Sequence, residues 1–423
     1  MVLPDSINSF LKKIINISFP STNFLPEEEQ YVSPNFIEEA NMKIVEGEEE
    51  KFAPVKVKST SDEVKFEAFL DGIQRTVLWR RIPLPNGAIV PIHLAHIAAG
   101  VIIRSRDGKL FVDKDLIASR VLILGPFYGI NLAGSKVALP SSVLSDTSFK
   151  TFDLPIHKSD EWMICDTTFK GTNIDRESQK KDALIGNLLF NEGLVRSRAQ
   201  ARVSTLRHRL EFAILAKFRS KYPESWILVD GPLYFIDKWR KNAGEIFKKI
   251  LGRSNNDFEE KLLYKAVGVI KSHRLRPKRP DLVIKIGPNE RSLVSRLIFE
   301  VDIKGKHKED DEVGYYGGAH LTWYTRLRCN LSPPYGLTGL IRLDVHRSTF
   351  GIKIIDALSP KNFNKYLPIV DGITKGVWRE RWPSFRKGYD FKTASEPYPI
   401  HQVEEVLKSM LMSRRLLASF QFS

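Results

Sequence analysis

Three acidic residues stand where carboxylates can do metal chemistry. Asp71 closes an apolar run in AFLDG, Asp230 closes another in ILVDG, and Glu211 lies between them in LRHRLEFAILAKF. An aspartate that ends a strand-like run and is followed by glycine puts a carboxylate where the backbone can turn away from a ligand. Glu211 is the only acid between Gly193 and Pro223, a stretch of helix formers with Leu206, Leu210, Ile214 and Phe218 on one stripe. Two carboxylates at strand ends and one on a packed helix can converge on one point. Hard divalent cations take such oxygen clusters, and phosphodiester hydrolysis uses two ions to steady the attacking and leaving oxygens. Plainer readings stand beside this one. Asp-Gly is a common turn dipeptide, and Arg207, one turn before Glu211, offers it an ordinary helix ion pair. Asp302 in FEVDIKG and Asp344 in RLDVHRS are rival acids on strand-like runs, but neither precedes a glycine, and both are read as structural.

The charge balance suits a polyanionic substrate. The 423-residue chain carries a formal charge of +15, which favours nucleic acid as a partner. Acids gather early, in LPEEEQ and VEGEEEK, so the remainder is more basic than the average. Basic groups concentrate in RSRAQARVSTLRHRL, FRSKY, KWRKN and KSHRLRPKRP, a distribution that fits a phosphate track. Arg207, Arg209, Arg274, Arg276 and Lys278 are the candidate backbone-binding residues. Two cysteines, Cys165 and Cys329, without CxxC spacing, argue against a disulfide framework or a zinc ribbon. No run is apolar enough to span a bilayer. The opening segment lacks the layout of a signal peptide, so a cytoplasmic protein is expected.

The elements that must position these residues follow from the hydrophobic pattern. Residues 1–60 read as an appendage, a short amphipathic helix on Ile7, Phe10, Leu11, Ile14 and Ile15 followed by an acidic linker. Residues 61–423 read as the main domain. VKFEAFLDG predicts a strand, a turn near Gly72 follows, and TVLWRRIPL is its hairpin partner. Ala88–Arg104 predicts one long strand or two, and KLFVD, SRVLILGP and WMICDTTF predict more. Residues 175–222 predict two helices divided near Gly193. SWILVDGPLY is a buried strand, FEEKLLYKAVGVIKSHR a helix and strand, RLIFEVDIK and GLIRLDVHRS two further strands, and the tail a helix entered through proline. The order predicts an α/β fold with a mixed sheet flanked by helices.

The blocks AFLDG, LRHRLEFAILAKF, WILVDGPLY and YKAVGVIKSHR, in that order, resemble the NurA family of DNA-end-processing nucleases. LTWYTRLR, GLIRLDVHRS and PYPIHQVEEVL resemble its later blocks, so the likeness runs from about Val64 to Leu411. The resemblance implies an RNase H-like core related to Piwi domains, with Asp71, Glu211 and Asp230 as metal-binding acids. Lys271 matches a lysine that in such folds faces the scissile phosphate; a surface lysine is the plainer reading. The family's last helix follows a Tyr-Pro pair and presents a histidine or aspartate to the metals. Here Tyr398 and Pro399 lead to His401, Glu404 and Glu405; Glu404 best fits the usual spacing, His401 is the alternative, and His346 is a further candidate. The resemblance also implies dependence on manganese or magnesium, a homodimer, resection of DNA ends, and work beside a hexameric HerA-type ATPase in repair or antiphage defence. A non-catalytic nucleic-acid-binding or scaffold paralogue is the alternative. A guide-binding Piwi-like module is disfavoured, since no block supplies a 5′-phosphate pocket. Trp323, Tyr324 and Tyr335 are expected to fill the core rather than stack on bases.

Overall fold

The structure is a computed structural model, and it describes residues 40–47, 53–59, 63–84, 86–130, 143–144, 161–168, 188–233, 258–271, 279–299, 319–327, 336–353, 360–382 and 394–418. One mixed sheet of 13 strands dominates these residues. Its strands are β1 (Ala40–Ile44), β2 (Val55–Lys56), β3 (Ala68–Pro83), β4 (Ile89–Arg104), β5 (Leu110–Gly125), β6 (Val143–Leu144), β7 (Glu161–Asp166), β8 (Ile227–Asp230), β9 (Ala266–Ile270), β10 (Glu290–Arg291), β11 (Ser295–Phe299), β12 (His320–Arg326) and β13 (Leu340–His346). Across the sheet the order is β1-β11-β12-β13-β9-β8-β3-β4-β5-β7-β6, with β10 also paired to β12 and β2 to β10. At its centre β8 runs parallel to both β3 and β9, while β3, β4 and β5 form an antiparallel meander.

Helices cover both faces. The long helix Glu192–Lys221 packs Val203, Leu210 and Ile214 on Ala68, Leu70 and Val229. Asn191 caps its first turn by accepting from Leu194 N at 2.9 Å. Arg219 and Lys221 lie in its last turn, where the helix dipole favours cations. On the other face the helices Leu367–Arg379 and Tyr398–Met410 pack Ile373, Val377, Val403 and Leu407 against Phe69, Leu228 and Val269. Because strand side chains alternate, Phe69 and Leu228 mark the face on which Asp71 and Asp230 also lie.

Several elements differ from the sequence reading. The Asp71–Gly72 pair is no turn: β3 runs unbroken for 16 residues, and the chain reverses after it, near Gly87 at φ 84°. KLFVD and SRVLILGP are one strand, β5. The break expected near Gly193 falls at Phe190–Asn191: Leu188 and Leu189 are helical, and the 30-residue helix starts at Glu192, with Gly193 in its first turn. The helix Leu367–Arg379 was not foreseen. Before residue 60, β1 and β2 join the main sheet. β1 pairs with β11, and Glu46 is held by Arg291, so part of the acidic linker belongs to the sheet. The expected helix near residue 10, residues 175–187 and Asp302 lie outside the described residues. Among the described residues, no helix is long and apolar enough to cross a membrane.

Candidate active site

Three adjacent strands bring Asp71, Asp230 and Lys271 into a row. In the parallel β3–β8 pair Leu70 is opposite Val229, so Asp71 and Asp230 follow side by side. In the parallel β8–β9 pair Asp230 is opposite Val269, and Lys271 leaves β9 two residues later. Alternation places Lys271 on the face of Val269, the same face as the two aspartates. Lys271 Nζ lies 2.9 Å from Asp230 Oδ1 and donates to Glu396 Oε1 at 2.8 Å.

Glu211 reaches this row from the opposite face, and Gly72 lets it in. A Cβ at position 72 would lie 2.0 Å from Glu211 Oε1. Arg207 clamps the carboxylate, donating to Glu211 Oε1 and, at 2.9 Å, to the Gly72 carbonyl. Gly72 N donates to Asp71 Oδ1 at 2.7 Å. The helix ion pair foreseen for Glu211 therefore exists, but it forms inside the site: Glu211 is only 3% exposed. Burial, with Asp230 beside it, raises the Glu211 carboxyl to about 7 against the opposing pull of Arg207. Burial and the neighbouring Asp230 and Glu211 also hold Asp71 well above the usual carboxylate range, opposed by Lys271 and Arg207. Against the burial that would discharge it, Asp230, Glu396 and Asp71 keep Lys271 charged. The two carboxyl shifts record burial first and repulsion between neighbouring carboxylates second.

The helix Tyr398–Met410 completes the site. Its start is fixed by Tyr398 N donating to the Glu380 carbonyl at 2.7 Å. Glu380 in turn takes a two-pronged contact from Arg104 at 2.7 and 2.6 Å. Just before the helix, Glu396 is 1% exposed, and its Oε2 lies 3.3 Å from His401 Nδ1. Ligand atoms of Glu396, His401 and Glu404 all fall within 4.8 Å of one another. The His401 ring packs on Trp382 at 4.9 Å, and Trp382 packs edge-on against Tyr398 at 5.1 Å. Glu405 is half exposed, pairs with Lys408 at 2.7 Å and lies 3.9 Å from His401 Nε2, while Lys408 also meets Glu404 at 3.2 Å.

Both sequence candidates on this helix, His401 and Glu404, thus sit together, with an unforeseen third partner in Glu396. Asp71, Glu211 and Asp230 interact electrostatically, but among the described residues the trio close enough to share an ion as it stands is Glu396, His401 and Glu404. The donor set suits a divalent cation. Glu396 Oε2 and His401 Nδ1 are buried atoms that make no hydrogen bond, and Arg207 and Lys271 face a larger number of carboxylates. Oxygen-rich sites with one imidazole fit magnesium or manganese.

Other candidates fall elsewhere. Arg209 is 7% exposed and lies near the buried Cys165 thiol, which withdraws it from any phosphate-binding surface. Arg274, Arg276 and Lys278 lie outside the described residues. His346 is at the other end of β9: β13 is antiparallel to β9 with Val345 opposite Val267, so His346 lies level with the start of β9 while Lys271 leaves its end. There it caps a helical turn through Ser348 N and packs on His320 at 5.2 Å. Asp344 is buried between Arg342, at 3.0 Å, and Thr322, at 2.7 Å, as a structural acid. Trp323 and Tyr324 are core residues, Trp323 Nε1 donating to Thr374 at 3.0 Å; Tyr335 lies outside the described residues. The one sequence signal for Glu396 is its place in SEPYP, two residues before the Tyr-Pro pair. No known family model matches the chain, and no curated protein is significantly similar to it in sequence.

Proposed function

We propose that this chain is a metal-dependent deoxyribonuclease with an RNase H-like core, similar to NurA nucleases, that hydrolyses phosphodiester bonds at DNA ends. The observation that carries this reading is the convergence of Asp71 and Asp230 on neighbouring parallel strands with Glu211, which approaches through the gap at Gly72. Magnesium or manganese would be held by these three acids together with His401 and Glu404, and would supply an activated water and charge stabilisation of the leaving oxygen. The chain's own contribution is to bury and orient the carboxylates. Arg207 fixes Glu211 against Gly72, and Lys271 brings a cation beside Asp230. The formal charge of +15 supports a DNA substrate, held long-range by phosphate attraction. A cytoplasmic homodimer working beside a HerA-type hexameric ATPase belongs to the same reading.

One observation favours a second reading, a non-catalytic DNA-binding scaffold of the same fold. Lys271, a cation of the chain itself, pairs with both Asp230 and Glu396. Degradation of end-labelled linear DNA in manganese, magnesium or EDTA separates the two. Metal-dependent cleavage that is lost in Asp71→Ala and Asp230→Ala, with DNA binding kept, supports the nuclease. Binding without cleavage in any metal, with or without a partner ATPase, supports the scaffold.

A further inference from the structure

The Lys271 ammonium sits between Asp230 Oδ1 and Glu396 Oε1, at 2.9 and 2.8 Å. It therefore links Asp230, at the end of β8, to the Glu396–His401–Glu404 cluster. We propose that Lys271 is a built-in competitor for the divalent cation: it holds carboxylate oxygens that the ion would take and must leave them for the ion to bind. This inference rests on the metal-dependent reading of the site.

The geometry shows which partner can move. The Lys271 side chain keeps 27% of its surface exposed, whereas that of Glu396 keeps 2%. Glu396 is set by the turn into the helix Tyr398–Met410 and cannot follow a departing lysine into solvent. Lys271 has a flexible four-carbon stem and a compact charge that water solvates well. Arg207 makes a useful contrast. It holds Glu211 but is also tied to the Gly72 carbonyl at 2.9 Å, an anchor that a cation would not displace. Both ion-pair partners of Lys271 are carboxylates that a metal would want. Displacing Lys271 would also free a positive charge at the mouth of the site, where an incoming phosphate can meet it. Loading the ion and preparing for substrate would then be one event.

The test is manganese affinity of the metal-free protein, read from the electron paramagnetic resonance signal of free Mn2+. Wild type is compared with Lys271→Met, Lys271→Arg and Asp230→Asn. Removing the competitor should tighten manganese binding by at least about 5-fold, the lower end of ordinary site-to-site coupling. Lys271→Arg, which keeps the charge, should bind no more tightly than wild type. Equal or weaker binding in a folded Lys271→Met protein overturns the proposal. If wild type binds no manganese, or Asp230→Asn binds it unchanged, the metal-site reading itself fails instead. Should Lys271→Met not fold, nitrogen-15 lysine NMR of the wild type decides. The Lys271 ammonium signal, identified by its loss in Lys271→Arg, should shift on magnesium saturation; an unshifted signal at saturation overturns the proposal.

Discussion

Gly72→Ala is the sharpest test of how the site is built. The new Cβ would lie 2.0 Å from Glu211 Oε1, 2.6 Å from Cγ and 2.7 Å from Cδ. Non-bonded carbon contacts do not occur below about 3 Å, so the carboxylate must retreat by roughly 1 Å. It has little room, being buried and clamped by Arg207. Gly72 lies within a strand and is not among the positive-φ glycines, so alanine itself meets no backbone strain there. The whole effect should therefore come from the clash. Overpacking of this kind costs about 1–3 kcal/mol, and a misplacement of about 1 Å at a reacting centre costs about 100-fold in rate. The assay is DNA degradation in manganese alongside urea unfolding, run as a double-mutant cycle with Glu211→Ala. In the Glu211→Ala background the clashing atoms are gone, and Gly72→Ala should cost less than about 0.5 kcal/mol. An equal cost in both backgrounds would refute the idea that Gly72 is there to admit Glu211.

Three further outcomes follow from the same geometry. Because the Glu211 carboxyl is raised from 4.5 to about 7, the folded metal-free protein holds a proton that the unfolded chain releases. Stability should then be greatest below the lower value and fall as pH rises through the upper one, by about 3 kcal/mol at about 1.4 kcal/mol per unit. Urea melts in EDTA at pH 5 and 8 should show this slope, and Glu211→Gln should reduce it. Arg291→Ala would strand the buried Glu46 and Asp371 carboxylates, whose contacts to Arg291 are 2.6 and 2.8 Å. A loss of about 3–5 kcal/mol is expected by urea unfolding, and a loss below about 1 kcal/mol would contradict the role given to β1. His401→Ala should weaken manganese binding more than magnesium binding, since it removes the imidazole and leaves the oxygens. Titration calorimetry with both ions checks the difference.

Asp71, Asp230 and Glu211 were legible because their signals are local: an acid closing an apolar run, and a lone acid on a helical stripe. What surrounds them was not. Asp-Gly at 71–72 reads as a turn, and the reason for that glycine is a helix residue far along the chain. β5 reads as two strands because Asp113, Lys114 and Asp115 interrupt its apolar pattern. In the fold Lys221, from the far end of the long helix, pairs with Asp113 and Asp115 at 3.1 and 2.8 Å. β1 was hidden in acidic sequence, since its attachment depends on a buried arginine well over two hundred residues away. Glu396 could not be assigned for the same reason. An isolated acid before a Tyr-Pro pair means little until Lys271 and His401 are placed on either side of it. Local patterns were enough to find the carboxylates, and tertiary partners were needed to give them roles.

The most direct test of the central claim is anomalous diffraction from crystals grown with manganese and a short phosphorothioate-protected DNA. The account predicts an ion within about 2.2 Å of carboxylate oxygens of both Asp71 and Asp230, with a DNA phosphate beside it and Lys271 no longer on Asp230. Density for DNA without an ion at those aspartates, with Lys271 still between Asp230 and Glu396, would contradict it.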